Sequence, residues 1–79
     1  MRTYVFKVEL EEENGVWSAV VPTLPGCNAW AYNKEKTLVA IQENTKAYIE
    51  TLIEEGQPIP IEESEIKMPI EKPAVAVTI

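Results

Sequence analysis

The sequence predicts an α+β fold: a two-layer sandwich of order β-β-β-α-β, in which a mixed four-stranded sheet carries one helix on one face. Three observations predict it. Residues 3–11 alternate polar and apolar side chains with period two, the pattern of a strand with one buried face. Asn14-Gly15 separates that run from a second one, and Asn-Gly between apolar runs is the strongest short-range hairpin signal, because both residues tolerate positive φ. Residues 34–55 carry apolar side chains at helical spacing.

The elements follow in order. In the first strand, 3–11, Tyr4, Phe6, Val8 and Leu10 share one face, and Val5, Lys7, Glu9 and Glu11 the other. A two-residue turn at Asn14-Gly15 sets Glu13 opposite Val16, Leu10 opposite Ala19 and Val8 opposite Val21. Trp17, Ala19 and Val21 of the second strand, 16–21, then join Phe6, Val8 and Leu10. A slip of one residue would put Trp17 among the glutamates. Next come Pro22, Leu24, Pro25, Gly26 and Cys27, a structural corner. Proline presets φ and glycine accepts the left-handed position, so this stretch reads as a shaped bend.

A third strand, 26–32, returns antiparallel. Asn33 is the expected N-cap of the helix. On a helical wheel Leu38, Ile41, Thr45, Tyr48, Ile49, Leu52 and Ile53 occupy one arc, with Glu43, Lys46, Ala47, Glu50 and Glu54 opposite; Val39 breaks the pattern on the polar side. Gly56 is a natural C′ residue, and Pro58 and Pro60 forbid continuation. Residues 57–73 are irregular, with a brief pairing at Ile66-Lys67-Met68 as the one exception, and 74–79 form the last strand. A right-handed crossover places that strand parallel to the first, at the far edge. The second sheet face is left uncovered.

Seventy-nine residues make one domain, 1–79, and a domain this small buries only about 60% of the surface its unfolded chain exposes. One cysteine closes no internal disulfide, and with no histidine the chain lacks a structural zinc set. No cofactor is expected. Association is the remaining route to stability, and a homo-oligomer is expected. The net charge of −6 opposes a nucleic-acid surface and docking on anionic lipid, and suits a basic partner or plain solubility. No apolar run approaches the ~20 residues of a membrane span. The N-terminus alternates instead of forming the apolar core of a signal peptide, and a single thiol accompanies it, so the expected location is the cytoplasm.

Catalysis finds little to work with. A two-metal nuclease needs carboxylates converging on ions about 4 Å apart. Glu9 and Glu11 lie on the outer sheet face, while Glu43, Glu50 and Glu54 point away from the sheet on the helix, and the chain holds no aspartate. Cys27 has no histidine to activate it and reads as an inert thiol. No catalytic or metal-binding residue is assigned. Trp30 and Tyr32, two apart, share a side of the third strand. If that side is the outer one, they form with Val5 and Val20 an apolar patch large for a small monomer, the candidate partner or oligomer interface. Glu43, Glu50 and Glu54 make an acidic ridge with Glu62, Glu63 and Glu65, which serves either a basic partner or solvation alone.

The hairpin G-V-W-S-A-V-V-P-T-L-P-G-C, the helix with Ala40 and Ala47 seven apart, and the following E-E-G-Q-P-I-P resemble the HicB-like antitoxins over residues 4–60, and the last strand has a counterpart there. The resemblance implies a degraded ribonuclease-H-like sheet and helix without the nuclease carboxylates. It implies homo-oligomers that bind and neutralise a small basic HicA-like toxin, an RNA-cleaving protein with a double-stranded-RNA-binding fold. Many members carry a further C-terminal DNA-binding module; with Ile79 as the last residue, none is expected here. The family's Gly-Asp-Thr-like segment before the helix is replaced by Tyr32-Asn33-Lys34-Glu35-Lys36. The expected function is an antitoxin that occludes its toxin. The alternative is an orphan homo-oligomeric scaffold, and a degenerate enzyme ranks last.

Overall fold

The structure, a computed structural model, describes residues 3–60 and 74–78. Its elements are β1 (Thr3–Lys7), β2 (Glu9–Glu13), β3 (Val16–Val20), β4 (Asn28–Ala31), α1 (Lys34–Glu54) and β5 (Ala74–Thr78). The α+β class holds. The single mixed four-stranded sheet does not: β1 pairs with β5 in one ladder, and β2-β3-β4 form another, with every pairing antiparallel. The predicted strand 3–11 is divided at Val8, and its second half runs on to Glu13. Val8 itself is buried, and Tyr4, Phe6, Val8 and Leu10 all pack in or against the core. The alternation thus continues through the break while the pairing partner changes from β5 to β3.

The hairpin is built as its turn chemistry requires. Asn14 and Gly15 have φ of 54° and 83°, and both central residues of this tight turn must be left-handed. The register sets Glu13 opposite Val16 and Leu10 opposite Ala19, as the sequence pattern predicts.

The corner is two successive turns. The Leu24 amide donates to the Val21 carbonyl and the Cys27 amide to the Leu24 carbonyl, each at 3.0 Å. Pro22 and Pro25 occupy the second position of each turn, where a fixed φ near −65° fits. Gly26, at φ 82°, takes the third position of the second turn, which needs positive φ. The Val21 amide closes the corner onto the Cys27 carbonyl at 3.0 Å. That closure fixes β4 against β3, with Ser18 opposite Trp30. β4 is shorter than the predicted 26–32, because Gly26 and Cys27 belong to the turn.

The helix starts at Asn33, whose side-chain oxygen accepts the Lys36 amide at 2.8 Å. Asn33→Ala leaves that amide without its cap. A loss of about 1 kcal/mol is expected, a fall in melting temperature of roughly 4–8 °C for a domain this size. Asn33→Asp should melt within a degree or two of the parent on the same scale. Differential scanning calorimetry reads both. At the other end the Gln57 amide donates to the Leu52 carbonyl at 2.8 Å and the Gly56 amide to Ile53 at 3.1 Å, with Gly56 at φ 68°. This is the Schellman closure that the glycine predicts.

The helix buries Thr37, Ile41, Thr45 and Ile49. Each four-residue step overshoots a full turn by about 40°, so this stripe drifts around the helix. Ile53 is carried off it and stands 47% exposed, which corrects its place in the inward arc. Thr37 enters the core instead. Its hydroxyl donates to the Asn33 carbonyl at 2.8 Å, as Thr45 donates to Ile41 at 2.6 Å, so both bury without an orphaned donor.

The helix runs antiparallel to β4. Thr37 lies beside Trp17, the Asn44 amide donates to the Asn28 carbonyl at 2.8 Å, and the Tyr48 hydroxyl donates to Pro25 at 2.9 Å. β5 then runs antiparallel to β1, with Phe6 opposite Val75 and Tyr4 opposite Val77, not parallel as expected. The expectation assumed a direct return from the near end of the helix. A connection of this length, 55–73, can reach either end of a helix that spans ~30 Å, so it permits both directions. Residues 61–73, with the Ile66-Lys67-Met68 pairing, lie outside the described residues. The Gln42 amide donates to the Ala76 carbonyl, tying β5 to the helix. Phe6, Val8, Ala19, Val21, Leu24, Ala29, Ile41, Ile49, Val75 and Val77 close one core between sheet and helix.

Candidate partner interface

The face of β2-β3-β4 turned from the helix is organised by register. Inner-face residues Ala19 and Ala29 are buried opposite one another, so their neighbours point outward. Glu9 faces Val20, which faces Asn28; Glu11 faces Ser18, which faces Trp30. Glu13 faces Val16 at the turn end. The outward residues therefore stand in three columns: Glu9, Glu11 and Glu13 on β2; Val16, Ser18 and Val20 on β3; Asn28 and Trp30 on β4, with Tyr32 just beyond.

Trp30 is 59% and Tyr32 74% exposed, and their rings meet edge to face with centroids 5.4 Å apart. An edge-to-face pair satisfies the ring quadrupoles against each other and leaves the remaining ring surface to solvent or a partner. Val20, 40% exposed, is a diagonal neighbour of Trp30 across the ladder. Val5 is also outward and exposed, but it sits on β1 opposite Ala76. Glu9, the partner of Val20, lies four positions further along the chain, roughly 13 Å of strand. Of the four candidate residues, Val20, Trp30 and Tyr32 are brought together, and Val5 stands apart in the other ladder.

The alignment of the glutamates with the aromatics was not read from the sequence. The missing step was the corner: once Val21 is closed on Cys27, counting back along both strands sets Ser18 opposite Trp30 and links the three columns. The helix glutamates Glu43, Glu50 and Glu54 are exposed on the opposite side of the fold, with Lys46 among them. Glu62, Glu63 and Glu65 lie outside the described residues.

Other surfaces offer less chemistry. A cleft of about 480 Å³ opens between the corner and the second half of the helix, lined by Cys27, Asn28, Asn44, Tyr48 and Leu52 among others. Cys27 is buried, with its sulfur 3.5 Å from the Thr45 hydroxyl oxygen. That hydroxyl spends its proton on the Ile41 carbonyl, so the thiol is left as the donor. The Tyr48 hydroxyl is likewise committed to Pro25. Among the described residues no three acidic or cysteine side chains gather closely enough to hold a metal ion, and no helix is long and apolar enough to cross a membrane.

Comparison with known proteins places these features. Residues 4–79 match the family described as "HicB_like antitoxin of bacterial toxin-antitoxin system". A UPF0150 protein of Thermoplasma acidophilum is 36% identical over 55 residues, covering 70% of this chain and 80% of that one. The N-terminal domain of the Burkholderia pseudomallei antitoxin HicB superposes with a TM-score of 0.64 at 20% identity, over 99% of this chain and 98% of that one. A chain of the HicA3 and HicB3 toxin-antitoxin complex gives 0.63 at 15% identity, over 94% and 95%. At such identities these two structures report a shared fold.

Proposed function

The chain belongs to the HicB-like antitoxin family, and from that membership we propose that it is a non-enzymatic antitoxin that binds a small basic RNA-cleaving toxin and covers its working surface. The observation that carries this reading is the sheet face bearing the exposed Val20, Trp30 and Tyr32, which no described residue covers. Aromatic side chains are enriched at the energetic centres of interfaces, and this pair stands largely exposed. A protein that binds and cuts RNA must present positive charge to phosphate, so an acidic occluding partner is steered to it. A solved HicA3–HicB3 complex of the same fold supports the kind of partner. Self-association in the cytoplasm belongs to the same reading, since a domain of 79 residues buries too small a share of its surface to be secure alone.

Tagged chain recovered from its native cells is expected to bring down one small basic protein whose RNA cleavage stops when the chain is added back. Trp30→Ala should weaken that complex about tenfold or more, as loss of a central aromatic does. Recovery of copies of the chain alone, with no inhibited nuclease, would identify an orphan scaffold. RNA cleavage by the chain itself, abolished by Glu9→Gln, would identify an enzyme.

A further inference from the structure

The antitoxin reading names a partner but not how it is held. Resting on that reading, we propose that the outer sheet face is an arginine-binding trough, in which the partner's guanidinium groups stack on Trp30 and Tyr32 and pair with the carboxylates of Glu9, Glu11 and Glu13. The columns supply the parts. Carboxylates line one wall on β2 and aromatics the other on β4. Strands are spaced at about 4.8 Å, so the walls stand roughly 10 Å apart. Between them the floor is Val16, Ser18 and Val20, with no side chain larger than valine.

A planar cation laid over Ser18 reaches both walls at once. Arginine fits this better than lysine, because a guanidinium stacks on a ring while its edge offers a fork of donors to a carboxylate. The apolar floor receives the methylene stem. The face's own charges argue against the other occupants. A second copy docked face to face would bring a second carboxylate column into the contact, and β2, β3 and β4 carry no lysine or arginine to meet it. Nucleic acid would set phosphates against the same column.

The test uses the whole chain and a short oligo-arginine peptide, with oligo-lysine of equal length and single-stranded RNA as comparators. Trp30 fluorescence follows the titration, and Trp30→Phe, which keeps an aromatic wall, assigns the signal against Trp17. Oligo-arginine is expected to bind more tightly than oligo-lysine, and RNA not at all. The triple variant Glu9→Gln/Glu11→Gln/Glu13→Gln is expected to lose about tenfold or more in affinity for oligo-arginine, in line with a network of exposed pairs acting together. Trp30→Ala, read by calorimetry, should lose severalfold. The helix triple Glu43→Gln/Glu50→Gln/Glu54→Gln should bind as the parent does. All these positions are exposed, so unchanged circular dichroism and melting confirm that each variant folds.

A loss confined to the helix triple, equal binding of both peptides, or RNA binding abolished by Trp30→Ala would overturn the trough. So would a homo-oligomer that Trp30→Ala disperses while peptide binding persists. A recovered toxin that still binds the sheet-face triple at parental affinity would sink the trough and leave the antitoxin reading standing. Oligo-arginine held in the trough with no toxin ever recovered would do the reverse.

Discussion

Phe6→Ala is expected to bring the chain to the edge of unfolding at room temperature. Phe6 is 1% exposed and sits where three elements meet. It stands opposite Val75 in the β1–β5 ladder, two residues before the Val8 break and within the cluster that includes Ile41 and Ile49 of the helix. Truncation removes the ring's transfer free energy and leaves a cavity that flanking strands cannot both close, a cost of roughly 3–5 kcal/mol. Stabilities of natural domains begin near 5 kcal/mol, and a chain this short belongs at the low end. Urea titration by circular dichroism should show the midpoint falling almost to zero. Ile53→Ala, by contrast, touches a side chain 47% exposed and should shift stability by less than about 1 kcal/mol. Equal effects at the two positions would mean that the core is wrongly placed.

The contrast between those residues shows how far the sequence could be read. Period-two alternation survives a change of pairing partner, because burial acts on side chains one at a time. The inward set Tyr4, Phe6, Val8 and Leu10 was therefore legible, while the break at Val8 was not. Register at the hairpin was legible because Asn14-Gly15 leaves a single turn geometry. At the corner each turn residue was recognisable, but the hydrogen bonds that combine two turns into one closure were not specified by residue type. That gap hid the alignment of Glu11, Ser18 and Trp30, and with it the chemistry of the outer face. Thr37 escaped because the arc starts at Leu38, although the Thr37 hydroxyl is satisfied four residues back just as that of Thr45 is. The direction of β5 depends on the long segment before it, and segment length alone does not choose a direction.

β5 also carries the second large effect. A chain lacking residues 74–79 is expected to lose cooperative unfolding altogether. Val75 and Val77 are 3% and 1% exposed, and burying side chains of this size stabilises by about 1.5–3 kcal/mol each. Their removal also bares Phe6 and Tyr4 and strips β1 of its only ladder partner among the described residues. Together these losses match or exceed what a small domain has in hand. The consequence reaches the outer face, because β1 leads through Val8 directly into β2, the strand that carries Glu9, Glu11 and Glu13. Without β5, β1 keeps no ladder partner among the described residues, and the carboxylate column loses its anchored end. The truncated chain should therefore bind the dye ANS, show no sigmoidal urea transition, and lose oligo-arginine affinity in parallel. Ala76→Ser changes an exposed side chain and leaves the backbone that pairs with Val5 and accepts from Gln42, and should retain all three properties. A truncated chain that melted within about 2 °C of the parent, less than the roughly 4–8 °C that a loss of 1 kcal/mol produces at this size, would show that the β1–β5 ladder adds nothing to the fold.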